Sequence, residues 1–216
     1  MARVAIVDYG MGNLRSVYRA LAHAAGGEEG LQVTADPAVV RAAERVVLPG
    51  VGAIGDCMAE LRRLGLVDVL REAARCKPFL GVCLGMQALL DDSEESGGVE
   101  ALGVIPGRAV RFPDGEHDGR GRPLKVPHMG WSRVRRPCSH PLWAGIEDGT
   151  WFYFVHSYYV IADDPSMVVG EAEHGRRFAA AVADGPCFAA QFHPEKSQEA
   201  GLRLYRNFLD WDGSWT

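Results

Sequence analysis

The most constraining feature of this chain is a short apolar segment that runs into a cysteine held between two glycines. Residues 79–82 are typical of a buried strand, and residues 88–90 continue an apolar pattern that suits a helix. Cys83 lies between them, flanked by Gly81 and Gly85, which is the order of a nucleophile elbow. Small neighbours prevent clashes at such a strained turn, and free N–H groups at the helix start favour a thiolate. The alternative is a buried structural cysteine, since most free cysteines are inert.

A second segment supplies the groups that a cysteine nucleophile requires, namely a general base and a group that orients it. His193 and Glu195 follow an apolar strand predicted over residues 188–192, with Pro194 between them. We expect Pro194 to keep this segment extended, so that positions 193 and 195 lie on one side. The carboxylate can then reach the imidazole while the other ring nitrogen faces the cysteine. Either residue alone would be an ordinary surface group, but together with Cys83 they predict a catalytic triad.

A second histidine competes for the role of base. His156 lies in the aromatic, β-prone run of residues 151–159, most of which we interpret as a core strand. No acidic residue is close to His156 in the sequence, whereas a carboxylate lies two positions after His193. We therefore assign the base to His193.

These segments resemble the two signatures of the triad-type, class I glutamine amidotransferases. The first is Gly81-Val-Cys-Leu-Gly-Met-Gln87 and the second is Gln191-Phe-His-Pro-Glu195. Two further stretches resemble the glutaminase subunits of imidazole glycerol phosphate synthase, Asp8-Tyr-Gly-Met-Gly-Asn13 and Pro127-His-Met-Gly-Trp131. That family usually continues with Asn, whereas this chain has Ser132, a departure that concerns only a local hydrogen bond.

A glycine-containing loop after the third predicted strand could bind an oxyanion. It consists of Gly50, Val51 and Gly52, and glycines permit unusual backbone angles at such a strand end. From the residues alone, a pair of anion-binding N–H groups and an ordinary turn remain equally open. The resemblance implies that this loop is the oxyanion strand and that the amides of Val51 and Leu84 stabilise the tetrahedral intermediate. It also implies that the loop is misoriented until a partner and its ligand bind.

The resemblance implies further residues for glutamine and for a partner subunit. Gln87 and Glu95 would bind the amino group of glutamine, although a shift of one position in the acidic loop would exchange Glu95 for Glu94. Ser157 and Tyr158 would contact glutamine through backbone groups. The residues implied at the partner interface or ammonia exit are Asn13, Trp131, Tyr153 and Lys196.

Element order predicts an α/β fold: an open, mixed, largely parallel sheet flanked by helices, with an antiparallel extension. Early strands alternate with helices, whereas later strands are joined by turns. The length of 216 residues suits a single domain over residues 1–216, and the apolar content of 47% can fill a core. We also expect a strand pair within residues 103–112 and a final helix capped by Ser197, its apolar face formed by Leu202, Tyr205, Phe208 and Leu209.

Charge and composition narrow the function classes. The net charge of −5 gives no global basic field for nucleic acid, and no apolar run approaches the length of a membrane span. The five cysteines are scattered and odd in number, which indicates neither a disulfide framework nor a zinc site. We therefore expect a cytoplasmic protein with no metal and no cofactor.

The resemblance implies a glutaminase subunit that works in a heterodimer. It would hydrolyse glutamine and pass ammonia to a cyclase subunit, which makes imidazole glycerol phosphate and aminoimidazole carboxamide ribotide in histidine biosynthesis. One alternative is a glutaminase for anthranilate or pyridoxal phosphate synthesis, which the segments 8–13 and 125–131 disfavour. A cysteine peptidase or γ-glutamyl hydrolase would keep the triad but need an open peptide cleft and no partner. A non-catalytic subunit that only holds a partner is the third alternative.

Overall fold

The computed structural model describes residues 3–215, so positions 1, 2 and 216 of the predicted domain lie outside the described residues. Its strands are β1 (Val4–Val7), β2 (Leu31–Thr34), β3 (Arg45–Gly50), β4 (Phe79–Cys83), β5 (Asp92–Ser93), β6 (Val99–Glu100), β7 (Gly107–Arg111), β8 (His128–Val134), β9 (Thr150–His156), β10 (Tyr158–Ala162), β11 (Val168–His174), β12 (Arg176–Asp184) and β13 (Cys187–Ala190). Its α-helices are α1 (Leu14–Ala25), α2 (Pro37–Ala42), α3 (Ile54–Arg63), α4 (Val67–Cys76), α5 (Leu84–Ala88) and α6 (Gln198–Asp210).

Within the described residues the main sheet has 11 strands, in the order β2-β1-β3-β4-β13-β12-β10-β7-β5-β6, with β11 paired to β12. The strands from β2 to β13 in this order run parallel to one another. Beyond β13, the strands β12, β10, β7 and β11 continue the sheet through antiparallel pairs. Strands β8 and β9 form a separate antiparallel hairpin. The predicted mixed α/β fold is therefore confirmed.

Both faces of the central strands are buried, as expected when helices cover a parallel sheet on two sides. In β3, Val46 and Leu48 pack into the cluster that contains α3 and α4. Val47 points the opposite way, into the cluster that contains α1, α6 and the β8–β9 hairpin. All three side chains are fully buried, so the period-two alternation of the strand anchors it between two cores. The carboxyl end of β4 is thereby held rigidly beside β3 and β13.

The predicted strand pair within residues 103–112 was wrong, since that stretch contributes the single strand β7. The N–H groups of Gly103, Val104 and Ile105 donate instead to the carbonyls of Leu90 and Leu89. These bonds hold the segment against the end of the elbow helix. Its backbone groups are therefore already satisfied and cannot extend a strand ladder.

The predicted cap of the last helix was also wrong. Ser197 precedes α6, but its hydroxyl donates to the carbonyl of His193 at 2.7 Å and accepts the N–H of Tyr153 at 3.0 Å. The hydroxyl therefore ties the helix start to β9. The buried face of α6 consists of Gly201, Leu204, Tyr205 and Phe208, whereas Leu202 and Leu209 are only half-buried.

Within residues 3–215, no helix combines the length and the apolar character needed to cross a membrane.

Candidate active site

Cys83 is the last residue of β4, and α5 begins at the next position. Its backbone has φ 55° and ψ −107°, a region that a residue with a side chain rarely adopts. Gly85 makes this turn possible, because a Cβ at that position would overlap the carbonyl oxygen of Leu48. The elbow is therefore packed directly against β3. A strained residue held this firmly is typical of a functional site.

His193 and Glu195 meet beneath the elbow. His193 Nδ1 lies 2.8 Å from Glu195 Oε1, and both side chains are 1% exposed. Our expectation that Pro194 keeps this segment extended was wrong, because Pro194–Lys196 forms a 3₁₀ turn. The N–H of Lys196 donates to the carbonyl of His193 at 3.0 Å, and this bond closes the turn. The turn, rather than strand alternation, brings the carboxylate to the imidazole.

His193 lines the same pocket as Cys83. Its other ring nitrogen, Nε2, is buried and has no hydrogen-bond partner among the described residues. Burial lowers the pKa of His193, but the nearby Cys83 sulfur and the Glu195 carboxylate outweigh that effect and raise its pKa above the ordinary value. The arrangement therefore favours an imidazolium beside the Cys83 sulfur. Such a pair supplies both a nucleophile and a proton donor.

One glutamine, directly after β13, bonds the sulfur, and a second glutamine on α5 bonds the first. Gln191 is buried, and its Nε2 donates to Cys83 Sγ at 3.7 Å. Its Oε1 accepts from Gln87 Nε2 at 3.1 Å, and Gln87 also donates to the carbonyl of Tyr158 at 3.1 Å. Sequence reasoning assigned no role to Gln191. Its place as the first residue of the second signature was the available signal, and Ala190 pairs with Val82 so that Gln191 comes next to Cys83.

A second missed residue lies behind the carboxylate. The hydroxyl of Tyr205, on α6, donates to Glu195 Oε2 at 3.4 Å. Both oxygens of Glu195 thus have partners, one in the ring of His193 and one in the hydroxyl of Tyr205. Tyr205 was predicted only as part of an apolar helix face, and nothing in the local sequence distinguishes it from the other core aromatics.

A pocket of about 270 Å³ opens above the sulfur. It brings together nine of the predicted site residues: Val51, Gly52, Cys83, Leu84, Gln87, Glu95, Ser157, Tyr158 and His193. Glu94 is turned away, and its carboxylate accepts the N–H of Arg111 at 3.1 Å. Of the two adjacent acidic residues, only Glu95 therefore faces the pocket. The size of the pocket, and the few polar side chains in its otherwise largely apolar lining, suit a small polar ligand.

The predicted oxyanion loop runs beside the elbow. Gly50 is paired in register with Cys83 in the parallel strands β3 and β4, so Val51 and Leu84 follow neighbouring strand ends, and both line the pocket. A Cβ at Gly50 would strike the hydroxyl of Tyr9 and the side chain of Leu84. Gly50 is therefore required by the close approach of β3 to the elbow. This packing places two backbone segments, the one after β3 and the one after β4, in the lining of the pocket.

His156 also lines the pocket, but its ring is committed to other partners. Its Nδ1 donates to the carbonyl of Tyr158 at 2.7 Å, and its Nε2 lies 3.0 Å from Nδ1 of His128. Burial lowers the pKa of His156 to about 3, so the ring is neutral at physiological pH. His128 Nε2 in turn lies 2.9 Å from the hydroxyl of Ser132, which is the local hydrogen bond at this unusual position.

Three of the four predicted partner-facing residues form one cluster, which lies on the β8–β9 hairpin and on the 3₁₀ turn of residues 194–196. The rings of Trp131 and Tyr153 lie 5.9 Å apart, edge to face, and Lys196 Nζ lies 5.6 Å from the centre of the Tyr153 ring. Asn13, the fourth, lies directly before α1. Met129 and Trp131 are both exposed on the outer face of β8. Large exposed apolar side chains on one face are typical of a contact surface.

Comparison with known proteins places this chain in a family. The model of the family "Glutamine amidotransferase class-I" matches residues 5–211. A Methylococcus capsulatus protein is 58% identical over 98% of both chains, and a Pseudomonas putida protein is 55% identical over 100% of both. Both are named imidazole glycerol phosphate synthase subunit HisH.

Solved structures show the same fold at low identity. A putative GMP synthase protein from Thermoplasma acidophilum has a TM-score of 0.69 at 19% identity, covering 97% of this chain and 93% of that one. The glutaminase domain of a Trypanosoma brucei CTPS has a TM-score of 0.64 at 17% identity, covering 100% and 97%. The chain therefore belongs to the class-I glutamine amidotransferase family and, within it, to the HisH subunits of imidazole glycerol phosphate synthase.

Proposed function

We propose that this chain hydrolyses glutamine to glutamate and passes the ammonia to a cyclase subunit that makes imidazole glycerol phosphate and aminoimidazole carboxamide ribotide in histidine biosynthesis. The observation that carries the proposal is the arrangement of three side chains. Cys83 lies at a strained strand end and lines the pocket together with His193. The Nδ1 atom of His193 bonds Glu195 at 2.8 Å, and its Nε2 atom has no partner among residues 3–215. The close HisH relatives support the choice of pathway.

In the first half of the reaction, the Cys83 thiolate attacks the carboxamide carbon of glutamine. The tetrahedral intermediate collapses as the C–N bond breaks, and the imidazolium of His193 gives its proton to the departing nitrogen, which leaves as ammonia. The imidazolium of His193 and the N–H donor of Gln191 stabilise negative charge on the attacking sulfur.

In the second half, water hydrolyses the glutamyl thioester. His193 takes a proton from the water, the resulting hydroxide attacks the thioester carbon, and the sulfur leaves as the thiolate. Glu195 keeps the imidazole ring in one orientation through both steps, because its other oxygen is held by Tyr205. The product glutamate then leaves the pocket and the enzyme returns to its starting state.

The oxyanion of each tetrahedral intermediate would be bound by the backbone N–H groups of Val51 and Leu84. These residues follow the register pair Gly50 and Cys83, so their amides belong to adjacent segments. Donors that are oriented before the charge develops are the usual basis of oxyanion stabilisation, and the loop would reach that orientation when the partner and its ligand bind. Glu95 would bind the amino group of glutamine, and the backbone of Ser157 and Tyr158 would contact the rest of the amino acid.

The cyclase subunit would dock over the exposed side of the β8–β9 hairpin. Trp131, Tyr153 and Lys196 form a contiguous aromatic and cationic surface, and Met129 extends it along β8. Aromatic residues and methionine are enriched in the cores of protein interfaces. Ammonia would leave the pocket toward this surface, and Asn13 would border it from the start of α1.

The test measures glutamate release from glutamine by the chain alone, then in the presence of the ribonucleotide substrate and the cyclase subunit. We expect strong activation in the complex and complete loss of release in Cys83→Ala. Cys76→Ala, which removes an exposed cysteine on α4, is the matched control and should behave as the unsubstituted chain. High activity without a partner, or hydrolysis of γ-glutamyl peptides, would instead indicate a free-standing hydrolase. Full activity in Cys83→Ala would show that the triad is idle.

A further inference from the structure

The side chain of Glu95 does more in this structure than line the pocket. Its Oε2 accepts the backbone N–H of Ile54 at 2.8 Å, a contact between residues 41 positions apart. Ile54 is the first residue of α3 and directly follows residues 50–53, which we call the oxyanion segment. Ala53, at the N-cap of α3, cannot cap the helix with its own side chain. The carboxylate of Glu95 therefore replaces the missing cap and ends the oxyanion segment at a fixed point.

The turn that carries Glu95 packs closely against the start of α3. Ser96 has a φ of 58°, and the following Gly97 and Gly98 also have positive φ. A Cβ at Gly55 would lie only 3.2 Å from the hydroxyl oxygen of Ser96, so the turn and α3 pack without a gap. The N–H of Glu95 donates to Ser93 Oγ at 3.2 Å, which fixes the turn from the other side.

The second oxygen of the same carboxylate is left for a ligand. Glu95 Oε1 has no hydrogen-bond or ion-pair partner among residues 3–215, and the side chain lines the pocket with Cys83 and His193. The proposed function assigns the ammonium group of glutamine to this carboxylate. An ammonium bound to Oε1 would stop the carboxylate from rotating, because both oxygens would then be engaged. Glutamine would thereby also hold Ile54 and the end of the oxyanion segment in place.

We propose that Glu95 is a positioning residue as well as a binding residue. Its carboxylate couples the amino group of glutamine to the geometry of the oxyanion segment, through the hydrogen bond from the Ile54 N–H. This inference rests on the proposed function and adds a consequence to it. The amino group then contributes to turnover as well as to affinity, since a donor held at the oxyanion is useful only in the transition state.

The experiment uses a substrate that lacks the amino group. Glutaramate, the monoamide of glutaric acid, is the des-amino analogue of glutamine, and ammonia release is measured for the chain in complex with the ribonucleotide-bound cyclase subunit. In Glu95→Gln the amide oxygen can still accept the Ile54 N–H, whereas in Glu95→Ala nothing can. On glutaramate we expect kcat of Glu95→Ala to fall about tenfold relative to the unsubstituted enzyme and that of Glu95→Gln to fall less. On glutamine, both variants should show a raised KM, and the unsubstituted enzyme should have a higher kcat on glutamine than on glutaramate.

Glu94→Ala is the matched control, because Glu94 is the adjacent acid and binds the Arg111 N–H on the far side. It should leave both substrates unaffected. Equal kcat for Glu95→Ala and the unsubstituted enzyme on glutaramate would overturn the inference and reduce Glu95 to an ammonium-binding residue. A loss in Glu95→Gln as large as in Glu95→Ala would overturn it as well, because the hydrogen bond alone could not explain it.

Amide hydrogen exchange at Ile54 provides a readout that needs no turnover. We expect exchange about tenfold faster in Glu95→Ala than in the unsubstituted chain, and nearly unchanged exchange in Glu95→Gln. Equal protection in all three proteins would contradict the inference. Failure of the proposed function is recognised separately, since ammonia release would then persist in Cys83→Ala whatever happens at Glu95.

Discussion

A buried histidine outside the active-site pocket makes the free energy of unfolding depend on pH, and a single substitution can separate its contribution from those of the other titrating groups. His140 is 5% exposed and packs against Phe188, Trp211 and Trp215, with ring centres 4.9, 5.1 and 5.1 Å away. Its Nδ1 accepts the N–H of Leu142 at 3.1 Å, so the ring is held neutral with the proton on Nε2. Burial lowers the pKa of His140 to about 4.

The direction and size of the effect follow from that pKa. The unfolded chain holds this histidine near its ordinary pKa of about 6.5, so below that pH the unfolded state binds the proton more readily than the folded state. The stability contributed by the neutral ring is therefore complete above about pH 6.5 and is lost as the pH falls toward 4. Between pH 8 and pH 5 the loss amounts to about 2 kcal/mol, at 1.36 kcal/mol per unit of pKa difference.

His140→Asn removes the titrating ring while its side-chain oxygen can still accept the Leu142 N–H. At pH 8 the variant should be less stable than the unsubstituted chain, because aromatic packing is lost. That gap should narrow by about 2 kcal/mol at pH 5, as measured by urea unfolding at a series of pH values. Leu142→Ala, a buried and non-titrating neighbour, should instead show the same deficit at every pH. A gap for His140→Asn that stays constant would refute the reasoning.

Three further predictions concern the site. Gly85→Ala should cost about 3 kcal/mol or more in urea unfolding, because the added Cβ overlaps the carbonyl of Leu48, and an unchanged midpoint would contradict the packing described for the elbow. Gln191→Leu should lower kcat/KM for glutamine about tenfold, since it removes the N–H donor from the Cys83 sulfur, and wild-type kinetics would exclude that role. Tyr205→Phe should lower kcat about two- to fivefold with little change in KM, because the triad carboxylate loses one long hydrogen bond, and a change in KM alone would argue against it.

The candidate nucleophile and base could be predicted from the sequence because their signals are local. A cysteine between two glycines, after an apolar strand and before a helix, is a pattern of a few adjacent residues, and so is a histidine followed two positions later by a carboxylate. The fold class was equally accessible, since alternating strands and helices followed by turn-linked strands define a mixed sheet. Gly85 belongs to the same short stretch, but the carbonyl that leaves no room for a Cβ there belongs to Leu48 in β3, a contact that the local pattern does not show.

Everything that depends on contacts between distant segments was decided only by the tertiary structure. The sheet places β13 next to β4, and this pairing alone puts Gln191 against the sulfur of Cys83. The N–H groups of residues 103–105 donate to the carbonyls of Leu89 and Leu90 at the end of the elbow helix, so residues 103–105 do not form a strand. Ser197 finds partners in β9 and in the preceding turn and does not cap its own helix.

The adjacent residues Glu94 and Glu95 show most clearly the difference between what local sequence indicates and what tertiary structure decides. Glu94 and Glu95 are identical in type and adjacent in sequence, so no local pattern separates their roles. The left-handed turn at Ser96 and the start of α3 decide between them, sending one carboxylate to Arg111 and the other to Ile54 and the pocket. Sequence patterns identify which residue types can perform the chemistry. Long-range packing decides which of them face the same cavity, because that depends on the positions of segments that the chain brings together only when it folds.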